Sequence, residues 1–253
     1  MLILVSINIT MIINSNTKMA EVIIQNHHLL SLINRFGIEL GFGEQSVSEV
    51  CNFYNIPTNF FLEIVNAFND PDFFPKKNLD AFPLELIIDY LFKAHRYYLE
   101  VKVPEIKKLI TDLARQSNKN TQKAIFLIQT FFEEYAQQLK LHIKYEEEVI
   151  YPYILDLEKI YTSTNQKIIK AFKENHNFTI EEYARNHESI EEKLYDIKSL
   201  IIKYIKPKDN YIICFKILGQ LAHLEDDIND HSDMENKVLI PRVKAMEKAI
   251  NKY

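Results

Sequence analysis

From Leu84 to the end of the chain, apolar residues recur with a period near 3.6, and only three polar stretches break the pattern, at 116–120, 162–166 and 206–210. Three breaks divide this region into four long amphipathic segments. The simplest packing for them is an up-down-up-down antiparallel bundle. Before it, residues 26–68 read as a smaller helical unit. Leu29, Leu30, Leu32 and Ile33 precede a glycine-rich stretch, Val47, Val50, Phe53 and Tyr54 follow it, and Pro57 then introduces Phe60, Phe61, Ile64, Val65 and Phe68 at helical spacing. Pro71, Pro75 and Pro83 mark residues 69–83 as a linker. The predicted organisation is an extension at 1–18, a small helical domain at 19–68, the linker, and a bundle at 84–253. The fold class is all-α, an up-down four-helix bundle with a small helical N-terminal domain.

Composition sharpens this picture at one point. Only four of 253 residues are glycine, three of them (Gly37, Gly41, Gly43) within seven positions. Such a chain has no phosphate-cradling loop or dinucleotide fingerprint and few tight hairpins. The net charge of −5 provides no footprint for nucleic acid. Two distant cysteines, Cys51 and Cys214, form no disulfide framework and favour a reducing, cytoplasmic setting. Residues 1–15 are apolar but contain no lysine or arginine, and Asn8, Thr10 and Asn14 interrupt them. That is neither a secretory signal nor a membrane span, and Met19 is the expected start of the working protein.

The chemistry lies in the histidines. His142 with Glu146, and His231 with Glu235, form two His-x-x-x-Glu pairs 89 residues apart, each on one face of a helix. Six residues after each glutamate stands a proline, Pro152 and Pro241. Upstream of each pair is a lone histidine, His95 and His187, 92 residues apart and followed by Ile106-Lys-Lys-Leu-Ile110 and Ile197-Lys-Ser-Leu-Ile201. This is the pattern of a duplicated helical hairpin. In an antiparallel hairpin, residues at one level are equidistant from the turn. The midpoints of successive histidines, 118.5, 164.5 and 209, all fall in the three polar breaks. Four histidines and two glutamates are therefore expected at one depth inside the bundle, about 33 Å from the turns at 1.5 Å rise per residue.

Six such ligands exceed the four of a structural zinc site. Imidazole with carboxylate suits iron, manganese or zinc, and carboxylates facing one another across a bundle suit a dinuclear centre. The economical assignment gives each metal two histidines, with Glu146 and Glu235 bridging and an oxo or hydroxo bridge and open positions completing the shells. A polar layer without metal would bury carboxylates and imidazoles at high cost.

The segment Asp230-His-Ser-Asp-Met-Glu-Asn-Lys-Val-Leu-Ile-Pro-Arg242, with His95, His142, Glu146 and His187, resembles the hemerythrin-like (HHE) cation-binding domain. In particular it resembles the four-histidine, two-glutamate pattern of the iron–sulfur cluster repair (RIC) family, across about residues 84–245. The resemblance implies two iron ions, a role in nitrosative or oxidative stress, and repair of damaged clusters. Its partners would be nitric oxide or O2 and iron–sulfur client proteins, with no nucleic acid and no membrane. The rival readings are reversible O2 or NO binding or sensing, and reduction of NO or peroxide.

Residues 35–51 are similar to that family's N-terminal domain, whose glycine loop carries adjacent cysteines where this chain has Gly41 and Phe42. Thiol chemistry does not carry over. Cys51 is read as packing, and the unit as a docking or dimerisation module, with a homodimer as the assembly it would allow. Gln138 and Asn186 stand where some family members place channel glutamates. Asp227, on one stripe with His223, His231 and Glu235, is either a partner for the His231 ring or a solvated acid. His223 is read as a surface or packing histidine, and His27, His28 and His176 carry no motif.

Overall fold

Helix ends fall where polar residues interrupt the apolar period. A computed structural model describes residues 12–69, 79, 81–117, 121–161, 166–175, 178–186, 191–205 and 211–251. The described residues are helical with no strand. Their single extended pairing is an isolated bridge between Lys18 and Ser46. The chain divides into two compact units, residues 1–82 and 83–253.

The first unit contains α1 (Met19–Gln25), α2 (Leu29–Arg35), α3 (Val47–Phe53) and α4 (Thr58–Asn69). Gly37, at φ +73°, ends α2 with a left-handed turn, and the Ile38 N–H then bonds back to the Ile33 carbonyl at 3.1 Å. Ser46 starts α3 through a capping box. Its hydroxyl accepts from Glu49 N–H, and the Glu49 carboxylate accepts from Ser46 N–H at 2.7 Å. Phe60, Phe61, Ile64 and Val65 of α4 pack with Leu29, Leu32, Ile33, Val47 and Val50 in the core.

Two expected boundaries move. Residues 12–18 are not an appendage. Ile13 is buried, its N–H donates to Asn66 Oδ1 (2.8 Å), and its carbonyl accepts from Asn66 Nδ2 (2.9 Å). The Thr17 carbonyl also accepts from Val47 N–H at 2.8 Å. Residues 1–11 of the expected extension lie outside the described residues. The expected linker likewise supplies core to this unit. Leu79 is fully buried, and the Phe82 ring packs edge-on to Phe60 at 5.2 Å. Residues 70–78 and 80 lie outside the description.

The second unit is the four-rod bundle. The first rod joins α5 (Leu84–Tyr97), a π-helical turn π1 (Tyr98–Lys102) and α6 (Val103–Arg115). The second joins α7 (Gln122–Tyr145), π2 (Glu146–Ile150) and α8 (Tyr151–Tyr161). The fourth joins α12 (Tyr211–Met234), π3 (Glu235–Leu239) and α13 (Ile240–Ile250). Helices stop at Arg115, Tyr161 and Tyr204 and resume at Gln122, Gln166 and Tyr211. The three computed midpoints fall in these gaps, whose residues 118–120, 162–165 and 206–210 lie outside the description. Each rod packs on the next and the fourth packs on the first, which closes the bundle.

The third rod departs from the expected continuous helix. It is built from α9 (Gln166–Asn175), α10 (Ile180–Asn186) and α11 (Glu191–Tyr204). Thr179 begins α10 afresh. Its hydroxyl accepts from Glu182 N–H (3.3 Å), while the Glu182 carboxylate accepts from Thr179 N–H (2.9 Å). Glu247 of α13 accepts from Ile180 N–H at 2.9 Å and ties this new start to the fourth rod.

Candidate metal centre

Each π-helical turn ends just before a proline. Val103, Tyr151 and Ile240 donate their N–H groups five residues back, to the carbonyls of Tyr98, Glu146 and Glu235, and Pro104, Pro152 and Pro241 come next. A helix-interior proline has no N–H for the fourth carbonyl back and its ring collides with that carbonyl. Opening one turn to five-residue spacing relieves both problems. The prolines thus widen three rods at the level of His95, Glu146 and Glu235. The repeated Pro152 and Pro241 were visible in the sequence. Pro104, nine residues after His95, is the third of the set and the signal that sequence reading passed over.

The widened turns surround a buried polar layer. His95, Glu146, Asp227, His231 and Glu235 are the buried polar and charged residues described in this unit. Ligand atoms of His95, Glu146 and His231 all lie within 4.8 Å of one another. His95 Nε2 is 3.2 Å from His231 Nε2 and 3.2 Å from Glu146 Oε2. Its other nitrogen, Nδ1, is 3.0 Å from Glu147 Oε1. His142, partly exposed, places Nε2 2.7 Å from Glu146 Oε1. His231 Nε2 lies 3.7 Å from Glu235 Oε1.

Five of the six expected residues are therefore neighbours at one level. The sixth, His187, lies outside the described residues, as does His176. Gln138 is exposed and accepts from Lys193 in a surface cleft between α7 and α11 that none of the five lines. Asn186 ends α10. His27, His28 and His223 are exposed. His231 Nδ1 is buried without a hydrogen bond among the described residues, so Asp227 does not orient that ring. Asp227 is buried rather than solvated, and its backbone carbonyl accepts from the Tyr98 hydroxyl at 2.8 Å.

Three contributors to the layer were not foreseen. Glu147 holds His95 from the ring edge opposite Glu146, an arrangement that fixes an imidazole's tautomer and orientation at a metal. Tyr151 donates its hydroxyl to Glu235 Oε1 (2.9 Å) and stacks on His95 at 5.7 Å, while Tyr183 donates to Glu146 Oε1 (2.6 Å). Glu147 was legible only as a neighbour of Glu146. The tyrosines carry no local signal, because their partners are 84 and 37 residues away.

The electrostatics favour a cation. Burial, the largest single influence, pushes the His95 imidazole down. The hydrogen bonds the ring donates to Glu146 and Glu147 and the charges of Glu146 and Glu235 together outweigh it and hold the ring up at about 9. Burial, with Glu235 and Glu146 close by, drives both Tyr151 and Tyr183 far above the ordinary phenol range, so both remain proton donors. A negative field in a water-poor core, with imidazole nitrogens converging on it, is a donor set suited to a borderline transition metal. The residues present fit such an ion.

An all-α bundle with a buried histidine–carboxylate layer across its middle defines a class of cation-binding bundle proteins. Residues 87–243 match the hemerythrin family model, described as the hemerythrin HHE cation binding domain. This chain belongs to that family. It is also similar to the iron-sulfur cluster repair protein ScdA of two Staphylococcus epidermidis strains. In each case it is 21% identical over 202 residues, which cover 79% of this chain and 85% of the relative. Among the described residues, no helix is long and apolar enough to cross a membrane.

Proposed function

We propose that the chain holds two iron ions and acts in the cytoplasm under nitrosative or oxidative stress to restore damaged iron–sulfur clusters. The observation that carries this reading is the convergence of His95, Glu146 and His231 within 4.8 Å in a buried layer that also contains Glu235. The name borne by the staphylococcal relatives supports the repair role. His95, His142, His187 and His231 would be the terminal ligands, two to each ion, with Glu146 and Glu235 bridging.

Bound iron would supply vacant coordination positions and one-electron chemistry for nitric oxide or O2. The chain's own contribution is positional. Glu147 orients His95. Glu146 and Glu235 are themselves buried, on rods that also bury Ile143, Ile154, Leu224 and Val243.

The test is metal content after anaerobic purification, followed by incubation of the iron-loaded chain with a nitric-oxide-damaged [4Fe–4S] enzyme. Two irons per chain and recovery of the client enzyme are expected. Reversible gas uptake without recovery would make the protein a binder or sensor. Sustained consumption of nitric oxide or peroxide with an electron donor would make it a reductase. Absence of iron would end the reading.

A further inference from the structure

The two glutamates are each held from outside their own rod. Tyr151 follows Glu146 on the second rod, yet its hydroxyl reaches Glu235 on the fourth rod, at 2.9 Å. Tyr183, on α10 of the third rod, reaches Glu146 on the second, at 2.6 Å. Each half of the duplicated pattern thus supplies the phenol that holds the other half's carboxylate.

The phenols do not follow the repeat. The 89-residue offset that superposes Pro152 on Pro241 places Ile240 at the position of Tyr151. The 92-residue offset that superposes His95 on His187 places Leu91 at the position of Tyr183. Both counterparts are buried apolar residues. A buried phenol in place of isoleucine or leucine must find a partner, and here each one finds a carboxylate of the layer.

We propose that Tyr151 and Tyr183 are positioning residues of the metal centre, each donating to Oε1 of one glutamate and thereby fixing the orientation of that carboxylate toward the ligand histidines. This rests on the metal-centre reading above. At Glu146 the fixed carboxylate presents one oxygen to each of two histidines. Oε1 lies against Tyr183 and His142, and Oε2 is the oxygen 3.2 Å from His95 Nε2. A donor to a ligand carboxylate also draws off part of its negative charge. That favours the less positive state of a bound metal, so the phenols raise the centre's midpoint potential.

The test compares Tyr151→Phe and Tyr183→Phe in the full chain with Tyr98→Phe as control. Tyr98 is also buried and also loses one hydrogen bond, but its acceptor is the Asp227 backbone carbonyl rather than a carboxylate of the layer. Anaerobic competition for Fe(II) against a chelator, and redox titration of the loaded chain, are the readouts. Each of the first two variants is expected to bind Fe(II) about 10- to 100-fold more weakly and to titrate at a lower potential, with the control unchanged. The two substitutions lie on separate elements, so either one that retains the parent's far-ultraviolet dichroism decides. Unchanged Fe(II) affinity and potential, or an equal loss in the Tyr98 control, would overturn the assignment while leaving the centre intact. A parent chain that takes up no Fe(II) would end both readings.

Discussion

Both units bury polar side chains, but Asn66 in the first and Glu146 in the second are satisfied in opposite ways. In the first unit, Asn66 donates to the Ile13 carbonyl, accepts from the Ile13 N–H, and donates also to the Leu62 carbonyl of its own helix. Both polar atoms of the amide meet backbone partners, and the result is a joint between α4 and the segment before α1. In the bundle, Glu146, His95, His142 and Tyr183 crowd around one another, with two nitrogens and a phenol directed at a single carboxylate. Such a cluster is a poor way to obtain stability, since charges taken out of water repay their desolvation only with excellent pairing. Buried polarity of the first kind holds a fold together. The second kind is tolerated for what it binds.

The largest effect that could break this contrast is on metal content. Glu146→Ala removes the carboxylate that touches both His95 and His142, and iron per chain is expected to fall from two to below one, read by metal analysis after anaerobic purification. If two irons survive, the layer is not the ligand set. Asn66→Leu should do the reverse. It leaves the Ile13 N–H and carbonyl buried without their partner, at a cost of roughly 2–4 kcal/mol to the first unit, read by urea unfolding, while iron per chain stays at two. A smaller effect is expected from Glu147→Ala, which frees the His95 ring without removing a ligand. About tenfold weaker Fe(II) binding in chelator competition, with unchanged helicity, would place Glu147 behind His95 as its orienting acid.

What could be read along the chain was whatever has a local period. The helix ends, the His-x-x-x-Glu pairs and the turn midpoints all follow from spacing within one or two helical segments. The segment at 12–18 escaped because it is held by backbone pairing and one asparagine 53 residues away, and neither leaves a periodic trace. Tyr151 and Tyr183 escaped for a related reason. On spacing alone each is one more large residue on a buried face, and only the crossing of rods shows that its hydroxyl meets a carboxylate. The break of the third rod was written more plainly, in Thr179 and Glu182 at capping-box spacing. The unbroken amphipathic pattern on either side concealed it.

The smallest expected effect bears on whether the first unit carries any chemistry of its own. Its glycine loop has Gly41 at φ +105°, a conformation that suits glycine and strains any side chain. The thiol that remains in the unit, Cys51, is fully buried, and burial pushes it up to about 11 against a weaker opposing hydrogen bond from Thr58. A raised thiol pKa means that thiolate is scarce below it and increases tenfold per pH unit on approach. At pH 8 only about one Cys51 in a thousand would be thiolate. In a Cys214→Ala background, native protein at pH 8 should therefore react with a maleimide far more slowly than the urea-unfolded chain, and the native rate should climb as pH rises toward 10. Labelling of the native chain at the unfolded rate would show an accessible, activated thiol. The first unit would then share in the reaction rather than only in the architecture, and the division of labour between the two units would fail.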